Sequence, residues 1–127
     1  MIKPILTYGS EVWGVSKTAL IAIDKVFYRY ARCSIHVKAT TCNIITVGEC
    51  GVFPPSVACT KSLLCYINRL HNLSNTCIAK KVYNELLNLS EQGFSNWVGD
   101  AHKLAKDYNL DVNEKSTIFS SKCKRIV

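Results

Sequence analysis

Ile5-Leu6-Thr7-Tyr8-Gly9-Ser10-Glu11-Val12-Trp13-Gly14 is the stretch on which the reading of the fold turns. It holds one acid, Glu11, no histidine and no glycine-rich phosphate loop. Ile2, Ile5, Leu6, Gly9, Val12 and Trp13 recur at the three-and-four spacing of one helical face, which predicts a helix buried against another element. A glycine inside that face costs about 1 kcal/mol of helix propensity, so a close approach at Gly9 is the expected reason for it.

Downstream, the same period repeats. Ser16 is a good cap for a helix over about 17–33, with Leu20, Ile23, Val26, Phe27, Tyr30 and Ala31 on its apolar face. Lys25, Arg29 and Arg32 share an exposed stripe of that helix, and Lys38 continues it past the end. That stripe is either a solvated face or a row that tracks phosphates, with Tyr28 as the stacking side chain beside it. Asn43 caps a short helical piece through Ile44, Ile45 and Val47, with a strand as the alternative. Gly48 and Gly51 bracket Glu49 as a turn.

Pro54 and Pro55 suit the first turn of a further helix reaching about residue 73, along a stripe of Val57, Ala58, Lys61, Leu64, Cys65, Ile67 and Leu70. A helix over about 77–89, capped by Thr76, is expected to bury Ile78, Val82, Leu86 and Leu89, to expose Lys80, Lys81 and Glu85, and to stop at Gly93. The last, over about 96–109 with Ser95 as cap, presents Trp97, Val98, Ala101, Leu104, Ala105 and Tyr108. The expected fold is all-α with about five helices over residues 1–110, followed by a polar, basic and disordered tail over 111–127.

A chain of 127 residues with 48% hydrophobic and 20% charged content forms at most one domain with a modest core. Its net charge of +7 favours polyanionic partners. Residues 1–75 hold eight Lys/Arg against three Asp/Glu, whereas 76–127 hold eight against six, so the excess lies towards the front. No run reaches the ~18 apolar residues of a membrane span, and the first residues lack the apolar run of a secretory signal. The expected setting is nuclear or cytoplasmic, where the seven cysteines stay thiols.

Enzymatic chemistry finds little footing. Structural zinc favours Cys-x2-4-Cys pairs, whereas Cys59 and Cys65 are six apart and Cys42 and Cys50 eight apart. No context selects His36, His71 or His102 as a partner for a nucleophile. Asp24, Asp100, Asp107 and Asp111 include no adjacent pair for two-metal phosphoryl chemistry. The expectation is a non-catalytic chain with no cofactor, no metal and no small-molecule substrate.

Three strings carry a resemblance. Pro4 to Gly14 is similar to a Pro-x-x-x-Tyr-Gly-x-Glu-Val-Trp-Gly string. His36-Val37-Lys38-Ala39-Thr40-Thr41-Cys42-Asn43 matches Gly-Val-Lys-x-x-Thr-x-Asn, and Gly48-Glu49-Cys50-Gly51-Val52-Phe53-Pro54 matches Gly-Glu-Leu-Gly-x-x-Pro. In this order and spacing they resemble the region just beyond the polymerase domain in reverse transcriptases of jockey-like non-LTR retrotransposons, over roughly residues 3–110. The resemblance implies a helical thumb-and-linker segment beside template RNA and primer, with the polymerase domain of the parent protein as partner. It makes Tyr8, Gly9, Glu11, Val12, Trp13, Gly48, Glu49, Gly51 and Pro54 structural, and Lys38 the matched cation that meets a phosphate.

The aromatic-x-Asp-Asp turn and the endonuclease of that family are absent. His36 stands where the family has glycine, at a helix end that favours a left-handed residue, at a cost of about 1 kcal/mol. Ser34 replaces an apolar residue and Cys50 a larger aliphatic one. Such changes suit a copy no longer under functional constraint. The leading expectation is a non-catalytic fragment of an RNA-directed DNA polymerase contributing RNA or DNA contacts. The alternatives are a standalone basic module binding through Lys25, Arg29, Arg32 and Lys38, and an interaction domain with an open face around Tyr8 and Trp13.

Overall fold

The computed structural model describes residues 2–113 and 116–126. Among them all regular structure is helical: α1 (Ile2–Thr7), α2 (Ser10–Trp13), α3 (Lys17–Ser34), α4 (Asn43–Cys50), α5 (Pro55–His71), α6 (Ile78–Glu91), α7 (Trp97–Asp107) and α8 (Ser116–Ile126). The expected all-α class holds. Four of the expected helices are α3, α5, α6 and α7, and α4 replaces the alternative strand. Two compact units divide the chain, Met1–Thr60 and Lys61–Val127, with the division inside α5.

In the first unit, α1 and α3 pack together, as do α3 and α4, and Phe27, Ala31, Thr46, Ser10, Pro55 and Cys59 are buried. The opening helix departs from expectation. Gly9 is left-handed (φ 68°), so the helix breaks there into α1 and α2, and Ile5 and Val12 end up exposed rather than buried. The side chain of Ile2, also assigned to that face, lies outside the described residues. Trp13 Nε1 donates to the Tyr8 carbonyl at 3.0 Å and closes the break. Among the described residues no other element crowds Gly9, where a Cβ would meet only the Trp13 ring at 3.6 Å; at Gly14 a Cβ would run into the Ser10 carbonyl of its own helix. Burial pushes the Cys59 thiol up from its ordinary range.

α3 starts as expected, with Ser16 Oγ accepting from Ala19 N–H at 3.4 Å. Its end is a Schellman closure: Val37 N–H donates to Arg32 O and His36 N–H to Cys33 O, with His36 left-handed at φ 54°. The turn expected around Glu49 is not one, because Gly48 lies inside α4; Gly51, left-handed at φ 61°, ends that helix. Pro55 opens α5, and Asp24 Oδ1 accepts from Ser56 N–H at 3.1 Å, capping the helix from α3.

In the second unit, α6 packs on α7, and Leu63, Leu64, Ile67, Leu70, Tyr83, Val98, Ala101 and Ala105 are buried. α6 is rotated from the expected orientation. Ile78, Val82 and Leu89 are exposed and Leu86 is half-buried, whereas Lys80 and Tyr83 turn inward. Tyr83 carries more apolar area than Ile78 or Val82, so burying its ring favours this face. Lys80 can follow because its ammonium donates to the carbonyl of His71, the last residue of α5, where the helix end needs a cation.

Asn96, not Ser95, caps α7: its Oδ1 accepts from Gly99 N–H at 2.9 Å, and its Nδ2 donates to Leu86 O at 2.7 Å. Tyr108, assigned to the apolar face of α7, is exposed. In place of a disordered tail the structure describes α8, with Phe119 buried. Leu110 and Val112 are buried too, and Asn68 Nδ2 anchors the Val112 carbonyl at 2.8 Å. Residues 114, 115 and 127 of that expected tail lie outside the described residues.

Candidate nucleic-acid interface

Lys25 and Arg29 lie four residues apart on α3, about 6 Å along its axis, and both are exposed. Among the described residues neither makes an ion pair, and the neighbouring acid Asp24 is engaged at the start of α5. Two cations are thereby left open to solvent on one face. Lys38 is exposed in the loop that follows, within a turn closed by Thr41 N–H to Lys38 O at 3.0 Å.

Arg32 is used differently. Its Nε donates to Thr41 O at 3.0 Å and its Nη2 to Asn43 Oδ1, so the half-buried guanidinium holds the loop between α3 and α4. Of the four basic residues the sequence singles out, three are free to meet a phosphate, and the fourth fixes the segment that carries Lys38.

The aromatic assignments shift. Phe27 is buried as expected, but Tyr30, expected in the core, is 48% exposed next to Arg29. Tyr28 is half-buried edge-on to Phe27 at 6.0 Å between ring centroids, and burial followed by the charge of Asp24 pushes its hydroxyl up. Tyr30 is therefore better placed to stack on a base than Tyr28.

The residues of the three strings are scattered. Tyr8 is 86% exposed, Val12 is exposed, and Gly9, Glu11 and Trp13 are half-buried. Glu49 and Gly51 are exposed, Gly48 has open space where a Cβ would point, and half-buried Pro54 accepts from Val57 N–H at 3.2 Å. They converge on no single site.

Sequence reasoning missed a polar cluster in the second unit. Tyr83 Oη is hydrogen-bonded to His102 Nε2 at 2.7 Å, the Tyr83 ring meets His71 edge-on at 6.1 Å, and Lys80 Nζ lies 5.0 Å above that ring. Burial pushes the Tyr83 phenol up to about 12. Burial, and then Lys80, holds His71 below its ordinary value against a smaller opposing pull from Asp111; burial, and then His71, does the same to His102. His102 also lines a cleft of about 690 Å³ with Glu91, Lys103, Lys106 and Asp111. Four residues spread over three helices leave no spacing signal. The one local hint is that Lys80 and Tyr83 are three apart, which competes with the more apolar Ile78–Val82 row.

Among the described residues no group of three His, Cys, Asp or Glu could hold a metal ion, and no helix is long and apolar enough to cross a membrane. Comparison with known proteins found no match: no family model, no curated protein and no solved structure is similar to the chain.

Proposed function

We propose that this chain is a non-catalytic helical segment of a non-LTR retrotransposon type of reverse transcriptase, and that it contributes backbone contacts to RNA or DNA. The ordered set of three strings supports the family. The observation that carries the nucleic-acid role is the pair of unpaired, exposed cations Lys25 and Arg29 on one face of α3, flanked by Tyr30. Lys38 is the third phosphate contact, and Arg32 is a positioning residue that fixes its loop. Such contacts set register on a strand without reading its sequence. The exposed apolar side chains Ile5, Tyr8 and Val12 are the surface offered to the polymerase domain of the parent protein. Work on nucleic acid puts the chain in the nucleus or the cytoplasm.

Binding of a labelled RNA or DNA strand, titrated against salt by fluorescence anisotropy, tests the role. Replacing Lys25 and Arg29 with Ala should weaken binding to all sequences alike and flatten the log–log salt slope by roughly 1.4 for a single strand or 1.8 for a duplex. Wild-type protein with no salt-sensitive binding would remove the nucleic-acid reading. The family is tested separately, by reading the frame upstream of the Met1 codon. An aromatic-x-Asp-Asp polymerase domain in continuous frame is the expected result, and an unrelated sequence ends that assignment.

A further inference from the structure

Tyr83 and Lys80 are 1% and 8% exposed, on the face of α6 that turns inward, with an imidazole on either side of the tyrosine. The phenol keeps its proton throughout the physiological range, and with His102 in its Nδ1–H tautomer it donates to the neutral Nε2. A proton added to His102 turns Nε2 into a donor. The bond must then reverse, and the buried Tyr83 hydroxyl is left with a hydrogen and no other acceptor among the described residues.

His71 faces a parallel difficulty. Its Nδ1 is buried without a hydrogen-bond partner, so protonation there would bury an unpaired N–H. The charges around the pair are unfavourable as well. Lys80 of α6 faces His71, a charge on His71 acts against one on His102, and Lys103 and Lys106 of α7 line the cleft beside His102. Asp111 acts on His71, and Glu91 joins it in lining the cleft.

We propose that His71, Lys80, Tyr83 and His102 form an acid-sensitive latch within Lys61–Val127, in which proton uptake at either imidazole loosens α6 from α7 and from the end of α5. The direction follows from linkage. Both imidazoles are held below their ordinary value of 6.5, so as pH falls past it the unfolded chain binds more protons than the folded one. The stability is present above that value and is lost as pH falls towards the folded-state pKa.

Thermal melts of the full chain followed by circular dichroism, between about pH 7.5 and about pH 5.5, test this. Wild type should lose several degrees of Tm over that interval. The His71→Gln, His102→Gln double variant keeps an acceptor for Tyr83 but cannot take up the protons, and should lose less than half as much. His36→Asn, outside the cluster, should lose as much as wild type. A double variant with the full wild-type pH dependence overturns the proposal. Should that variant not fold, imidazole titration of wild type by NMR decides. Titration of His71 and His102 below the free histidine value, in step with loss of amide protection in α6 and α7, supports the latch. Titration at or above that value, or with no change in protection, refutes it.

Discussion

Arg32 shares the spacing of Lys25 and Arg29 on α3, but its guanidinium bonds a loop carbonyl and an amide oxygen nine and eleven residues on. Spacing along a helix shows which cations share a stripe; it does not show which of them reaches a later loop. Arg32→Met should therefore act on stability first, costing about 1.5–3 kcal/mol in urea denaturation because two charge-assisted bonds are lost. Its effect on nucleic-acid binding should be smaller than that of the Lys25, Arg29 pair. His36 is the opposite case. Its departure from a glycine pattern marks a left-handed helix end from sequence, and the structure puts it at φ 54° inside a Schellman closure. His36→Gly removes a strain of about 1–2 kcal/mol and adds an unfolded-state entropy of about 0.4–1 kcal/mol, for a net gain of roughly 0.5 kcal/mol, readable as a small rise in Tm.

Among the elements, α6 is where periodicity misleads. It carries two interleaved rows, Ile78–Val82–Leu86–Leu89 and Lys80–Tyr83–Leu87–Ser90, and the apolar count alone selects the first. What selects the second lies elsewhere in the chain: a free carbonyl at the end of α5 for Lys80, and a histidine on α7 for Tyr83. Gly99 adds to it, since a Cβ there would run into Ser90 Oγ and sit 3.1 Å from Ser90 Cβ. Gly99→Ala should destabilise the chain by about 1–2 kcal/mol, and Ser90→Ala in the same chain should recover part of that, which a double-mutant cycle in urea measures directly. The opening helix departs from its sequence pattern for a related reason. Its apolar period runs through Gly9 as if the helix were continuous, whereas the glycine is a left-handed break. The starts of α3 and α5 were legible because Ser16 and Pro55 act locally; the cap of α7 was not, because Asn96 is fixed partly by a bond back to Leu86.

Across the whole molecule, the all-helical class could be read because it needs only the 3.6-residue period, which survives errors in which face is buried. The charge asymmetry and the open cations of α3 were legible as well. The four-residue cluster around Tyr83 was not, because it joins residues up to 31 positions apart (His71 to His102). Rotating α6 leaves Ile78, 79% exposed, and Val82, one turn on, side by side on the surface. Chains with such patches associate. The Ile78→Lys, Val82→Glu variant should scatter less light at a given concentration, while its Tm corresponds to a stability within about 0.5–1 kcal/mol of wild type, because neither side chain is in the core.

The two indole rings are distributed one to each unit. Trp13 donates to Tyr8 across the break at Gly9, and Trp97 stacks on Tyr66 at 6.3 Å between ring centroids, their planes 20° apart. Each half of the chain thus contains its own fluorophore in its own surroundings. Trp13→Phe leaves an emission that follows only Lys61–Val127, and Trp97→Phe leaves one that follows only Met1–Thr60. The effect of acid, salt or added nucleic acid can therefore be assigned to one half or the other by which of the two variants changes its emission, with no label attached.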